Sequence, residues 1–192
     1  MIRVDTLRLY ERRLDGPVTP GAHPPGLQFA VWDSPTAPAW AGAWWHQEAG
    51  DRLREGQACA VARHEAEVVA YCWLAVTPVP VAEIDRVVVP GPEEVYLYDA
   101  FTVPEWRGRG LFTTLLLDLL TYTRAQGRKR AHIFVLARNE ASRRAIERGG
   151  FRLFQTVSRV ELFGLPFLWP RGPWPRSSRV TLVEDANWRR SP

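Results

Sequence analysis

The sequence predicts an α+β (α/β) fold, a mixed and mostly antiparallel sheet with helices on both faces. Three stretches carry that expectation. Residues 95–112 read as a strand, a glycine-containing turn and the start of a helix. Residues 130–151 read as a second strand, a capped helix and the opening of a further strand. Residues 57–64 and 67–77 read as two strands joined by a tight turn at Glu65-Ala66. Strands followed by alternating helices suit a mostly antiparallel, partly parallel sheet.

Taken in order, residues 3–14 alternate imperfectly (Val4, Leu7, Leu9) and predict a first strand. Residues 16–26 hold Pro17, Pro20, Pro24 and Pro25 and predict an irregular connection. A short extended segment follows at 27–32. Residues 39–54 predict a helix with Trp40, Ala43, Trp44 and Leu53 on one side and His46 within it. Core packing is the first explanation of that aromatic face. The hairpin with Cys59 and Cys72 comes next, its turn placing the two cysteines opposite each other. A loop at Pro78-Val79-Pro80 follows, and 82–89 reads as a further strand or a loop edge before Pro90-Gly91-Pro92. Residues 151–163 alternate as one long strand. Beyond Gly164, Pro166, Trp169, Pro170, Pro173, Trp174 and Pro175 predict an extended tail packed on the domain, with a last short strand at 180–183.

The stretch around Pro104 carries the chemistry. Residues 95–103 are rich in β-branched and aromatic types, as a buried strand requires. Pro104 ends it, since proline offers no ladder donor. Arg107-Gly108-Arg109-Gly110 then leads into Leu111, Phe112, Leu115, Leu116, Leu119 and Leu120, spaced by three and four as on one helix face. A helix start exposes unpaired N–H groups and the positive end of its dipole, which together attract an anion. Glycines let the backbone approach a phosphate, and Arg107 and Arg109 add charged donors. The pattern reads as a pyrophosphate cradle. No Gly-Lys-Ser/Thr triplet makes it a P-loop, and Thr113 stands where a dinucleotide fingerprint would have its third glycine.

The second stretch is Asn139-Glu-Ala-Ser-Arg-Arg-Ala-Ile-Glu-Arg-Gly-Gly-Phe151. Asparagine is a good N-cap, and the paired glycines are good terminators. Together the two stretches resemble motifs A and B of the GNAT (GCN5-related) N-acetyltransferase superfamily, in the family's order and separation. Motif A runs Arg/Gln-x-x-Gly-x-Gly/Ala; Arg107 and Gly110 match it, and Phe112 stands in the last position and should crowd the turn. Motif B commonly holds a tyrosine where this chain has Ile146, so no tyrosine acid carries over.

The resemblance implies the GNAT acyl-CoA N-acyltransferase fold in a single domain over 1–192. Residues 1–94 would supply N-terminal strands and acceptor-side helices, 95–163 the acyl-CoA core, and 164–192 an extension. It implies transfer of an acetyl or other acyl group from acyl-CoA, as cosubstrate and without a metal, to an amine of a small molecule or peptide in a ternary complex. Ala100, Phe101, Thr102 and Val103 would bond the pantetheine arm. Gly108, Arg109, Gly110, Leu111 and Phe112 would take the diphosphate, with Arg107 beside them. Asn139 and Ser142 would lie along the arm, and Arg143 would reach the nucleotide phosphates. A base is needed to free the amine. Asp99 suits by position, with Glu83 and Asp85 next, although Asp99 reads equally well as a structural acceptor. Ser142 could assist the leaving thiolate, whose reference pKa near 8.5 lets it depart unprotonated. The aromatic 39–54 stretch favours an acceptor with apolar or ring character.

Composition bounds the alternatives. A chain of 192 residues with 46% hydrophobic content fits one sizeable core. No apolar run reaches the ~18 residues of a membrane helix, and the first residues lack a signal-peptide pattern, so a cytoplasmic setting without a membrane is expected. Net charge +4 would permit nucleic acid, but the arginines cluster around the two motifs, where a phosphate-rich ligand accounts for them. Two cysteines make neither a disulfide framework nor a metal cage, and two reduced thiols are expected ahead of a cross-strand disulfide. Against the enzyme stands a non-catalytic acyl-CoA-binding domain. The sequence leaves the acceptor, and monomer against homodimer, open.

Overall fold

The computed structural model describes residues 3–36, 47–162, 165–171 and 181–184. Its main sheet has eight strands in the order β10-β9-β1-β8-β7-β4-β3-β2. These are β1 (Arg3–Arg13), β2 (Gln28–Trp32), β3 (Ala58–His64), β4 (Glu67–Ala75), β7 (Glu94–Thr102), β8 (Arg130–Leu136), β9 (Arg152–Leu162) and β10 (Leu165–Arg171). Three further strands, β5 (Val79–Val81), β6 (Arg86–Val89) and β11 (Thr181–Glu184), make a small second sheet. The helices are α1 (Gln47–Arg54), α2 (Leu111–Ala125) and α3 (Glu140–Arg148).

Among the described residues, only the β7–β8 pair of the main sheet is parallel, and α2 is its crossover. The predicted mixed, mostly antiparallel sheet is therefore present. Helix α2 forms because its leucines fall on one stripe: Leu111, Leu115, Leu116, Leu119 and Leu120 are all buried. They pack with Tyr10, Ala60, Cys72, Leu97, Ile133 and Ile146 in the largest cluster. Across the sheet lie two separate clusters. In one, Leu7, Leu9 and Val157 pack with Val79, Val81, Ile84 and Val88 of the β5–β6 hairpin. In the other, Ala49 and Leu53 of α1 pack on Cys59, Val61 and Trp73. Helices thus cover both faces, α2 on one and α1 on the other.

Several expectations need correction. Cys59 does not face Cys72. The two-residue turn pairs His64 with Glu67 as predicted, but the register shifts between Ala62 and Arg63, leaving Val69 as an extra residue in β4. Cys59 therefore lies opposite Trp73, and Cys72 opposite Ala60. A slip of one residue moves a side chain to the other face, and the two buried thiols belong to different clusters. The predicted loop at 78–80 contains strand β5. Residues 82–89 divide into a 3-10 turn (Ala82–Ile84) and β6, which pair away from the main sheet. Part of the predicted tail is also strand. β10 lies along β9 at the border of the main sheet with Pro166 and Pro170 in it, and β11 pairs with β6 close to the predicted 180–183. Trp40, Ala43, Trp44 and His46 of the predicted 39–54 helix, and Pro173, Trp174 and Pro175 of the tail, lie outside the described residues.

Candidate active site

The site is built where the two parallel strands part. β7 and β8 are paired from Glu94 with Arg130 to Leu97 with Ile133. Beyond that, Tyr98, Phe101 and Thr102 pair with β4, while Phe134, Val135 and Leu136 pair with β1. A bulge sharpens the divergence. Tyr71 opposes Phe101 and Trp73 opposes Tyr98, so Cys72 faces both Asp99 and Ala100. Asp99 takes up the distortion with φ +44°, a left-handed conformation that asparagine and aspartate tolerate better than most residues.

Past the strand, Pro104–Trp106 form a 3-10 turn, and Arg107 leads into Gly108 and Gly110 at φ +77° and +78°. Gly110 is the N-cap of α2 and has no side chain to bond the first turn, so the N–H groups of Leu111, Phe112 and Thr113 have no intrahelical acceptor. A Cβ at Gly108 or Gly110 would meet nothing within 4 Å. The open space there belongs to a cavity of about 530 Å³ between the end of β7, the turn and α3.

Most of the residues expected from the sequence converge on that cavity. From the strand come Ala100, Phe101 and Thr102; from the turn, Arg107, Gly108 and Gly110. Leu111 and Phe112 line it from α2, and Asn139 and Ser142 from α3. Phe112 leans into the core as well, which is how the turn accommodates the ring. Asp99, Val103, Arg109 and Arg143 are not among the lining residues. The N–H of Val103 bonds Val69 O at 2.9 Å. Arg109 lies over the Trp106 ring, 4.5 Å from its centroid, and donates to Glu105 O. Arg143 donates to Ala137 O at 3.1 Å.

The cavity also has walls the motifs did not reveal: Trp106, Thr113, Ala141, Arg144, Ala145 and Arg148. Positions 141, 145 and 148 share one helix face with Ser142, so counting turns from the Asn139 cap would have found them. Asn139 caps α3, its Oδ1 accepting the Ser142 N–H at 3.1 Å. Thr113 Oγ1 donates to Ala145 O at 3.4 Å and ties the two helices across the cavity floor. Arg107 Nε donates to Thr102 O at 3.0 Å, which keeps its guanidinium beside the glycine turn.

The carboxylates divide clearly. Asp99 is at the bulge with its side chain partly exposed, paired to Arg52 at 2.5 Å. Glu83 is exposed on the 3-10 turn before β6, and Asp85 pairs with Arg159 at 2.8 Å. Neither is on a strand adjoining β7, whose neighbours are β4 and β8. Ile146 is 1% exposed and packed in the core. On the opposite face of the parting strands stands an aromatic row: Tyr96 stacks on Tyr98 at 5.6 Å and tilts against Phe134 at 5.1 Å. Burial, and then the charge of Glu83, push the Tyr96 phenol well above its usual range. Among the described residues no cluster of three or more His, Cys, Asp or Glu side chains could hold a metal ion.

The sequence profile of the Acetyltransferase (GNAT) family matches residues 25–151, and the chain belongs to that family. No curated protein matches it by sequence. Solved structures share the fold at low identity. A GCN5-related N-acetyltransferase from Sphaerobacter thermophilus has a TM-score of 0.58 at 15% identity, over 81% of this chain and 50% of that one. A GNAT-family acetyltransferase from Colwellia psychrerythraea gives 0.53 at 17%, over 83% and 55%. A tandem GNAT protein from the clavulanic acid biosynthesis pathway gives 0.58 at 16%, over 88% and 55%. The alignments thus span only about half of those chains. Among the described residues no helix is long and apolar enough to cross a membrane.

Proposed function

We propose that the protein moves an acetyl or other acyl group from acyl-CoA to an amine of a small molecule or peptide, by direct attack in a ternary complex. One observation carries this reading: the gap between β7 and β8 opens beside a bulge at Asp99 and continues into a cavity floored by the Gly108–Gly110 turn. The donor set fits such a ligand. Open space at two glycines, uncapped N–H groups at a helix start, and Arg107, Arg144 and Arg148 around the rim suit a diphosphate with a further phosphate.

In this reading residues 95–163 hold the acyl-CoA and residues 1–94 shape the acceptor side. Backbone N–H groups near the bulge steady the carbonyl oxygen as it gains charge. The amine nitrogen bonds the carbonyl carbon, the carbon–sulfur bond breaks, and the sulfur leaves as thiolate. Asp99 accepts the amine's proton through water. Ser142, on the cavity wall, supplies a hydroxyl or holds a water near the leaving sulfur.

The test is thiol release from acetyl-CoA across a panel of amines, with acetyl-CoA binding measured by calorimetry. Turnover on any amine supports transfer. A second reading, an acyl-CoA-binding domain without turnover, is favoured by Ile146, which fills the core and offers no phenol. Tight binding with no thiol release on any acceptor would select it.

A further inference from the structure

Arg52 grips the bulge from the face opposite α2. Its Nη1 donates to Asp99 Oδ2 at 2.5 Å, and its guanidinium lies 5.0 Å from the Trp73 ring and 5.2 Å from that of Tyr98. Trp73 and Tyr98 are the cross-strand pair immediately beside the extra residue of β7. One side chain from the last turn of α1 therefore covers the pair that borders the distortion and bonds the residue that makes it. Tyr98 is tied a second time, its hydroxyl donating to Gln57 Oε1 at 2.5 Å just after α1.

The residue type at the bulge is informative. Glycine would adopt φ +44° without strain, whereas an L side chain there carries a cost. What aspartate adds is a carboxylate, one oxygen of which, Oδ2, accepts from Arg52. The Arg52 side chain is only 19% exposed, partly sheltered by two rings, a setting in which an ion pair holds its geometry better than on open surface.

We propose that Arg52 is a positioning residue: through Asp99 it fixes the β7 bulge, and with it the direction of the backbone N–H groups from Ala100 to Val103. This rests on the acyl-transfer reading for its consequence in turnover, though not for the clamp itself. It also couples the acceptor-side helix α1 to the strand that would hold the thioester.

The experiment uses the full chain with Arg52→Met, Asp99→Gly and the double variant. Amide hydrogen exchange at residues 100–103 is expected to quicken about tenfold in Arg52→Met. Asp99→Gly, which keeps the left-handed backbone without needing a partner, should stay within about twofold of the parent. The double variant should follow Asp99→Gly. In turnover on whichever amine is accepted, Arg52→Met should lower kcat about tenfold with KM for acetyl-CoA within twofold, a split that general loosening of the fold would not give. Unchanged exchange in Arg52→Met, or a double variant as fast as Arg52→Met alone, would overturn the clamp. If the parent turns over no amine, the acyl-transfer reading falls, and the exchange measurement still decides for or against the clamp.

Discussion

Asn139 Oδ1 accepts the backbone N–H of Ser142 at 3.1 Å, so a residue that lines the cavity is also the cap of the helix behind it. The two roles separate by substitution. Asn139→Asp keeps a capping oxygen and a favourable charge at a helix start, so thermal stability should stay within about 0.5 kcal/mol. The same change adds a negative charge to the cavity proposed to take the acyl-CoA phosphates, and calorimetry should find acetyl-CoA affinity at least about tenfold lower. Asn139→Ala should do the reverse in emphasis, costing about 1 kcal/mol of stability with the smaller loss of affinity.

Gly110→Ala tests the cradle. Its φ of +78° disfavours any Cβ, at about 1 kcal/mol, although the space around it is open. That space is the cavity, so acetyl-CoA affinity should fall about tenfold as well. Gly16→Ala is the control: nothing lies within 4 Å of its Cβ position and it does not line the cavity, so both quantities should hold.

Gly21→Ala should destabilise without touching the cavity. A Cβ at Gly21 would lie 2.6 Å from Thr114 Cγ2 and 2.7 Å from Thr114 Cα. Overpacking of this kind costs about 1–3 kcal/mol. Thr114→Ser should not rescue it, because the Cα clash remains. Denaturant midpoints of the single and double variants give the answer, and rescue by Thr114→Ser would show that the connection from β1 is free to move off α2.

The thiols set an alkaline limit. Burial raises the Cys59 and Cys72 thiols above their ordinary value of 9.0, with the charge of Asp99 adding to the shift on both. In the unfolded chain they ionise near pH 9, while in the folded chain they stay protonated. The folded state therefore binds more protons above pH 9, and stability is full below that pH and falls as pH rises. Each thiol should account for about 1 kcal/mol of lost stability between pH 9 and 10, the slope rising towards about 1.4 kcal/mol per pH unit at higher pH. Urea melts across that range should show Cys72→Ala with about half the parent's slope. A thiol reagent at pH 8 should react slowly with folded protein and quickly with two thiols once it is unfolded.

What could be read from the residues was what local chemistry determines. The Asn139 cap, the Gly149-Gly150 stop, the Pro104 break and the leucine stripe of α2 each act within one turn of chain, and each element lies where these signals put it. The bulges could not be read that way, because they are settled by a partner strand distant in sequence. Val69 moved Cys72 out of line with Cys59, and no residue near either cysteine announces it. Asp99 was legible as a carboxylate in the right strand, but its grip by Arg52, 47 positions away, was not. The β5–β6 hairpin was missed because Val79–Val81 is three residues with a proline in the middle. β10 was missed because proline and tryptophan gave 165–171 the composition of a tail, whereas β11 lies close to the short strand expected at 180–183.

Pro166 and Pro170 have a consequence beyond that misreading. They sit in β10, the border strand, and proline carries no amide hydrogen to offer a newcomer. A second molecule sidling up to this rim would find its hydrogen-bonding register interrupted twice within five residues. That border strand thus offers an incoming strand no amide donor at two of the five positions 166–170.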